Sequence, residues 1–88
     1  MRNFKVSEHL QNILSKLQKR DRRLYSQLLK KINEIISSHD VEHFKSLKHN
    51  MKDSKRVHIS HFVLVFQYDK SRDELCFDDF AHHDQIYK

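Results

Sequence analysis

RVHISHFVLVFQYD, residues 56–69, is the stretch on which the fold turns. Arg56-Val57-His58-Ile59 alternates polar and apolar side chains, the period-two signature of a strand with one covered face. Phe62-Val63-Leu64-Val65-Phe66 is a β-branched and aromatic run that suits a pleated, buried surface. One unbroken strand over residues 56–68 would be unusually long. A tight turn near Ser60-His61 is therefore expected, giving two strands. Asp69-Lys70-Ser71-Arg72-Asp73 is a turn cluster. Leu75-Cys76-Phe77 to Phe80 then reads as a third strand, which completes an antiparallel meander.

Toward the N-terminus the period changes. Asn3 to Val6 reads as a short extended entry. Ser7 is a candidate N-cap, and Glu8 suits the positive end of a helix dipole. Leu10, Ile13, Leu14 and Leu17 recur at i, i+3, i+4 and i+7, one buried stripe of an amphipathic helix. Asp21 is placed to cap a second helix. Its stripe is Leu24, Leu28, Ile32 and Ile35, widened by Leu29 and Ile36, with Arg22, Arg23, Lys30 and Lys31 off it. Almost nothing joins the two helices, so an αα-hairpin is expected. Residues 41–55 read less clearly: Val41, Phe44, Leu47 and Met51 suit a short helix or an irregular docked segment.

Helices followed by strands mean an α+β fold: an N-terminal αα-hairpin packed on one face of a small antiparallel β-sheet. Eighty-eight residues are expected to form one domain, 1–88. The opposite sheet face is left open, beside basic residues. The net charge of +5 suggests a polyanionic partner, with simple solubility as the plain alternative. Basic residues prevail up to residue 56 and acidic ones beyond it.

The chain has no glycine and no proline. That excludes Gly-rich phosphate loops and nucleophile elbows and leaves turns to Asp, Asn, Ser and Lys. Cys76 is the sole cysteine, so no intrachain disulfide can form. It is expected to be a buried structural thiol in a reducing cytoplasm. No apolar stretch reaches the roughly 18 residues of a membrane span, and a signal-peptide core is missing, so no membrane association is expected.

Three groups carry possible chemistry. Lys45, Lys48, Lys52 and Lys55, with Arg56, could hold phosphates and stabilise a pentavalent intermediate; alternatively each lysine is simply solvated. His58 and His61 open the meander, with His58 on the Arg56 side of its strand. Histidine changes charge near neutral pH and suits proton transfer; alternatively it is a strand-edge residue with a satisfied hydrogen bond. In the tail, one helical turn would bring His83 beside Tyr87, next to His82 and Asp84; alternatively Tyr87 is a packing anchor. Neither an HExxH pattern nor paired cysteines occur, and no metal or other cofactor is expected.

Phe44-Lys45-Ser46-Leu47-Lys48, Arg56-Val57-His58-Ile59, Leu64-Val65-Phe66-Gln67-Tyr68-Asp69 and His82-His83-Asp84-Gln85-Ile86-Tyr87, in that order behind two helices, together resemble the RelE/ParE toxin superfamily. The histidines resemble its RelE and YafQ-like branch. The resemblance spans essentially the whole chain. It implies a toxin of a type II toxin–antitoxin system that cleaves mRNA without a metal, on the ribosome, and that a cognate antitoxin neutralises. By position it implies a catalytic set of His83, His58, Arg56, Tyr87 and His61. The chain departs from many RelE members in carrying Val63-Leu64 where they have an arginine, and Asp78-Asp79 at the end of the last strand. A ParE-like toxin that binds gyrase, or a non-catalytic nucleic-acid-binding or degenerate toxin domain, are the alternatives.

Overall fold

The computed structural model describes residues 3–38 and 54–86. Strand β1 (Asn3–Val6) leads into helices α1 (Glu8–Arg20) and α2 (Arg22–Ser37). Strands β2 (Ser54–Ile59), β3 (Phe62–Asp69) and β4 (Glu74–His82) follow, and a single turn, α3 (His83–Ile86), closes the described chain.

Both helix starts are set by single side chains. Ser7 Oγ accepts from Leu10 N–H at 3.0 Å and donates to the Asp78 carbonyl at 2.7 Å. One hydroxyl thus caps α1 and ties it to β4. Asp21 accepts the Leu24 N–H at 3.1 Å and donates its own backbone N–H to the Leu17 carbonyl at 2.8 Å. It ends one helix and starts the next, which makes the hairpin connection as short as the sequence suggests.

The sheet order is β1-β4-β3-β2. The meander is antiparallel, as expected, and β1 joins its edge parallel to β4, with Val6 opposite Phe77. The sheet is therefore mixed. Leu10, Leu24, Leu28, Ile32, Ile35 and Ile36 of the helices close on Ile59, Leu64, Phe66, Leu75, Phe77 and Phe80 of the sheet. Each such side chain stabilises by about 1.5–3 kcal/mol when removed from water. Ile36 widens the α2 stripe as expected. Leu29 does not: it stays 40% exposed, because its direction leads around the helix away from the sheet.

Phe77 and Phe80 both reach this core although they stand three positions apart, a spacing that strict alternation would split between faces. A β-bulge resolves the conflict. Val65 pairs with Asp79 and Phe66 with Phe77, so Asp78 is the extra residue. The turns manage without glycine by placing Ser60 (φ 58°) and Asp73 (φ 48°) in the left-handed region. Asp tolerates that region through local hydrogen bonds, and Asp73 accepts the Tyr68 hydroxyl at 2.7 Å.

Candidate active site

The outer face of the sheet is built from β2 and β3. His58 pairs with Val63 and Arg56 with Val65. Their neighbours Val57, Ile59, Leu64 and Phe66 face the helices, so the pleat turns Arg56, His58, Val63 and Val65 to the opposite side. Val63 and Val65 are buried there, outside the main core. Arg56 is half-buried and its Nε is closed off from solvent. That environment restricts where the guanidinium can go.

The tail meets this face at the β2–β3 turn. His83 N–H donates to the His61 carbonyl at 2.9 Å, which pins the start of α3. The His83 ring then stacks on His58, with centroids 5.6 Å apart and planes 29° from parallel. A second stack joins His61 to His82 at 6.4 Å and 22°. His82 also meets Phe62 edge-on at 5.6 Å, and Phe62 stacks on Phe80 at 5.2 Å. An aromatic ladder thus runs from the core to the exposed His61 ring.

Asp84 serves both stacks. Its backbone N–H donates to His82 Nδ1 at 3.2 Å, which assigns the proton of a neutral His82 ring to Nε2. Its carboxylate lies 3.7 Å from His82 Nδ1 and 3.6 Å from His83 Nδ1, beyond hydrogen-bond range. His58, His61 and His83 are all exposed. Solvent and a large substrate can reach them.

Three of the expected catalytic residues, Arg56, His58 and His83, therefore share one neighbourhood. His61 is adjacent through its stack with His82 and its carbonyl bond to His83. Lys55 pairs with Phe66, and the pleat turns it to the helical side. Tyr87, Lys45, Lys48 and Lys52 lie outside the described residues. His82 is the residue whose place the sequence did not assign; its pairing with Phe62 depends on the bulge four residues earlier.

Asp78 and Asp79 are engaged within the fold. Asp78 accepts from Gln67 Nε2 at 2.9 Å and from the Cys76 thiol at 3.3 Å. Asp79 pairs with His9 Nε2 at 2.9 Å and accepts the Phe80 N–H. Burial, followed by the Asp78 contact, pushes the Cys76 thiol above its ordinary pKa, the opposite of an activated nucleophile. Among the described residues, no three His, Cys, Asp or Glu side chains come together to hold a metal ion.

A helical hairpin over a four-stranded mixed sheet, with arginine and histidines on the outer face, defines a small α+β protein with a basic, imidazole-bearing sheet face. No protein-family model matches the chain. It is 44% identical over its full length to the Methanocaldococcus jannaschii protein named "Putative toxin RelE4", covering 93% of that protein. It is 37% identical to an uncharacterized Methanosarcina mazei protein, over 96% of both chains. The chain belongs to the RelE toxin family. Its fold matches the isolated Escherichia coli RelE toxin with a TM-score of 0.70 at 20% identity, covering 99% of this chain and 92% of that one. It matches a chain of the Mycobacterium tuberculosis RelBE2 toxin–antitoxin complex with a TM-score of 0.75 at 12% identity, covering 93% and 98%.

Proposed function

We propose that this RelE-family chain is an endoribonuclease: one domain, residues 1–88, that cleaves mRNA on the ribosome in the cytoplasm, needs no metal, and is held inactive by a cognate antitoxin. The observation that carries the reading is the stacked pair of His58 and His83 on the face that Arg56 shares. Two proton-transfer groups beside one fixed cation are what cleavage through a 2′-hydroxyl requires. One imidazole removes the 2′-hydroxyl proton as that oxygen attacks the adjacent phosphorus. The P–O5′ bond breaks, and the other imidazole donates a proton to the departing 5′-oxygen. The products are a 2′,3′-cyclic phosphate and a 5′-hydroxyl end. Arg56 stabilises the pentavalent charge, and His61 and Tyr87 support or stack on the bases. Lys45, Lys48 and Lys52 contact phosphates, and Lys55, on the helical side of β2, does so outside the His58–His83 face. DNA, lacking the 2′-hydroxyl, is not cut. The antitoxin is inferred from the toxin–antitoxin complex whose toxin fold this chain shares.

The test is translation in a cell-free extract with primer extension on the message. Wild type should arrest synthesis and create new mRNA ends, and His83→Ala should lower the cleavage rate by about 10²–10⁴-fold. Arrest without new ends would refute the nuclease and point to toxicity by binding, with gyrase the first target to examine.

A further inference from the structure

A second feature lies beside His58 and has no part in the chemistry above. Gln27, Lys30, Lys31 and Glu34 of α2 stand at i, i+3, i+4 and i+7, a polar stripe at helical spacing. This stripe faces the end of β2, where it walls a groove of about 260 Å³ closed on the other side by His58, Ile59 and Ser60. Helical stripes that approach a sheet are ordinarily apolar; here the helical wall is an amide, two ammonium groups and a carboxylate, facing His58, Ile59 and the Ser60 hydroxyl. Glu34 holds Lys31 at 2.9 Å and so fixes one ammonium at the groove. Lys30 beside them keeps the local charge positive, and the two lysines, Lys31 foremost, hold the Glu34 carboxyl below its ordinary pKa. The groove has room for several water-sized groups, is open to solvent, and runs up to a histidine of the stacked pair.

We propose that this groove binds the sugar–phosphate backbone of single-stranded RNA beside the cleavage site, with Lys30 and Lys31 on a phosphate and Gln27 and Ser60 as neutral hydrogen-bonding partners. The proposal rests on the ribonuclease reading for its direction, since His58 is shared between the groove and the proton-transfer pair. With two ammonium groups on one wall and Ile59 its one aliphatic residue, the groove offers a peptide little to anchor and suits a phosphodiester backbone better. Glu34 acts against the ligand: it orients Lys31 but repels phosphate.

The experiment is fluorescence anisotropy of the full chain with a labelled, non-cleavable 2′-O-methyl oligonucleotide across a salt series, run alongside cleavage of unmodified RNA. Lys30→Ala should weaken binding several-fold and reduce the slope of log affinity against log salt by about 0.7, the value for one phosphate contact on a single strand. Glu34→Gln should tighten binding, an effect that partial unfolding cannot imitate. Both side chains are on the surface of α2, and circular dichroism would check the fold. Lys30→Ala and Glu34→Gln affinities equal to wild type overturn the groove, and intact cleavage in the same samples would leave the nuclease reading standing. Opposite shifts in affinity without cleavage by wild type would keep the groove and refute the nuclease. No binding of the oligonucleotide, or its displacement by an equal concentration of a glutamate-rich peptide, would also overturn the proposal.

Discussion

Removing the Ser7 hydroxyl should loosen the helical hairpin from the sheet. In Ser7→Ala two bonds are lost: the cap on Leu10 N–H at 3.0 Å and the bond to the Asp78 carbonyl at 2.7 Å. A helix cap of this kind stabilises by about 1 kcal/mol, and a part-buried hydrogen bond adds about 1 kcal/mol more. The expected loss of about 2 kcal/mol should lower Tm by about 8–16 °C in a domain of this size. Thermal unfolding followed by circular dichroism would measure it. Ser7→Asp separates the two bonds. Aspartate caps a helix as well as serine does, but it cannot donate to the Asp78 carbonyl, so this variant should lose only the second contribution or somewhat more through oxygen–oxygen repulsion. If Ser7→Ala lowered stability by less than about 0.5 kcal/mol, the ordinary scatter of surface changes, Ser7 would not join α1 to β4 as described. The consequence reaches the site, because Asp78 is the bulge residue that sets which β4 side chains face the core and which face outward.

Three further outcomes follow from the packing and the titrating groups. Leu28→Ala, at a fully buried position, should cost about 2–5 kcal/mol, whereas Leu29→Ala, 40% exposed, should stay within about 0.5 kcal/mol of wild type; equal urea midpoints for the pair would contradict the placement of α2. Native Cys76 should react with iodoacetamide more slowly than the urea-unfolded chain, since burial and then Asp78 raise its pKa and deplete the thiolate. Asp78→Asn should speed that reaction, and an unchanged rate would remove Asp78 from the account. The Asp69 carboxyl is held below its ordinary value, first by the Ser71 hydroxyl and then, against an opposing burial penalty, by the Arg72 and Ser71 backbone N–H groups. A depressed folded-state pKa gives stability that is present above the ordinary value of 3.8 and lost as pH falls through the lowered one. Asp69→Asn should therefore flatten the acid limb of the stability curve, and parallel limbs for mutant and wild type would rule the linkage out.

Much of this molecule is legible in local sequence. Ser7 and Asp21 cap their helices through side chains that act three residues away. Leu24, Leu28, Ile32 and Ile35 declare the buried stripe by spacing alone, and the run 56–69 announces two strands and the turn at Ser60-His61. These signals survive because a cap or a stripe is decided within a helical turn or two. The choice between Leu29 and Ile36 as the fifth α2 core residue was not local, because both border the stripe and only the position of the sheet tells them apart.

Tertiary structure decided the rest. Asn3–Val6 shows an extended segment but not its partner; the parallel pairing with β4 arises because the chain passes from β1 to β2 at the far edge and the meander then brings β4 back beside β1. Phe77 and Phe80 both need the core, and burying both forces the extra residue at Asp78. That bulge sets the register that brings His82 opposite Phe62 and lets His83 start α3 against the His61 carbonyl. The stack of His83 on His58 is the product of that register. Strand register is a property of paired chains, chosen by the burial of whole faces, so the two histidines can be named from the sequence while their meeting is set only when the sheet assembles.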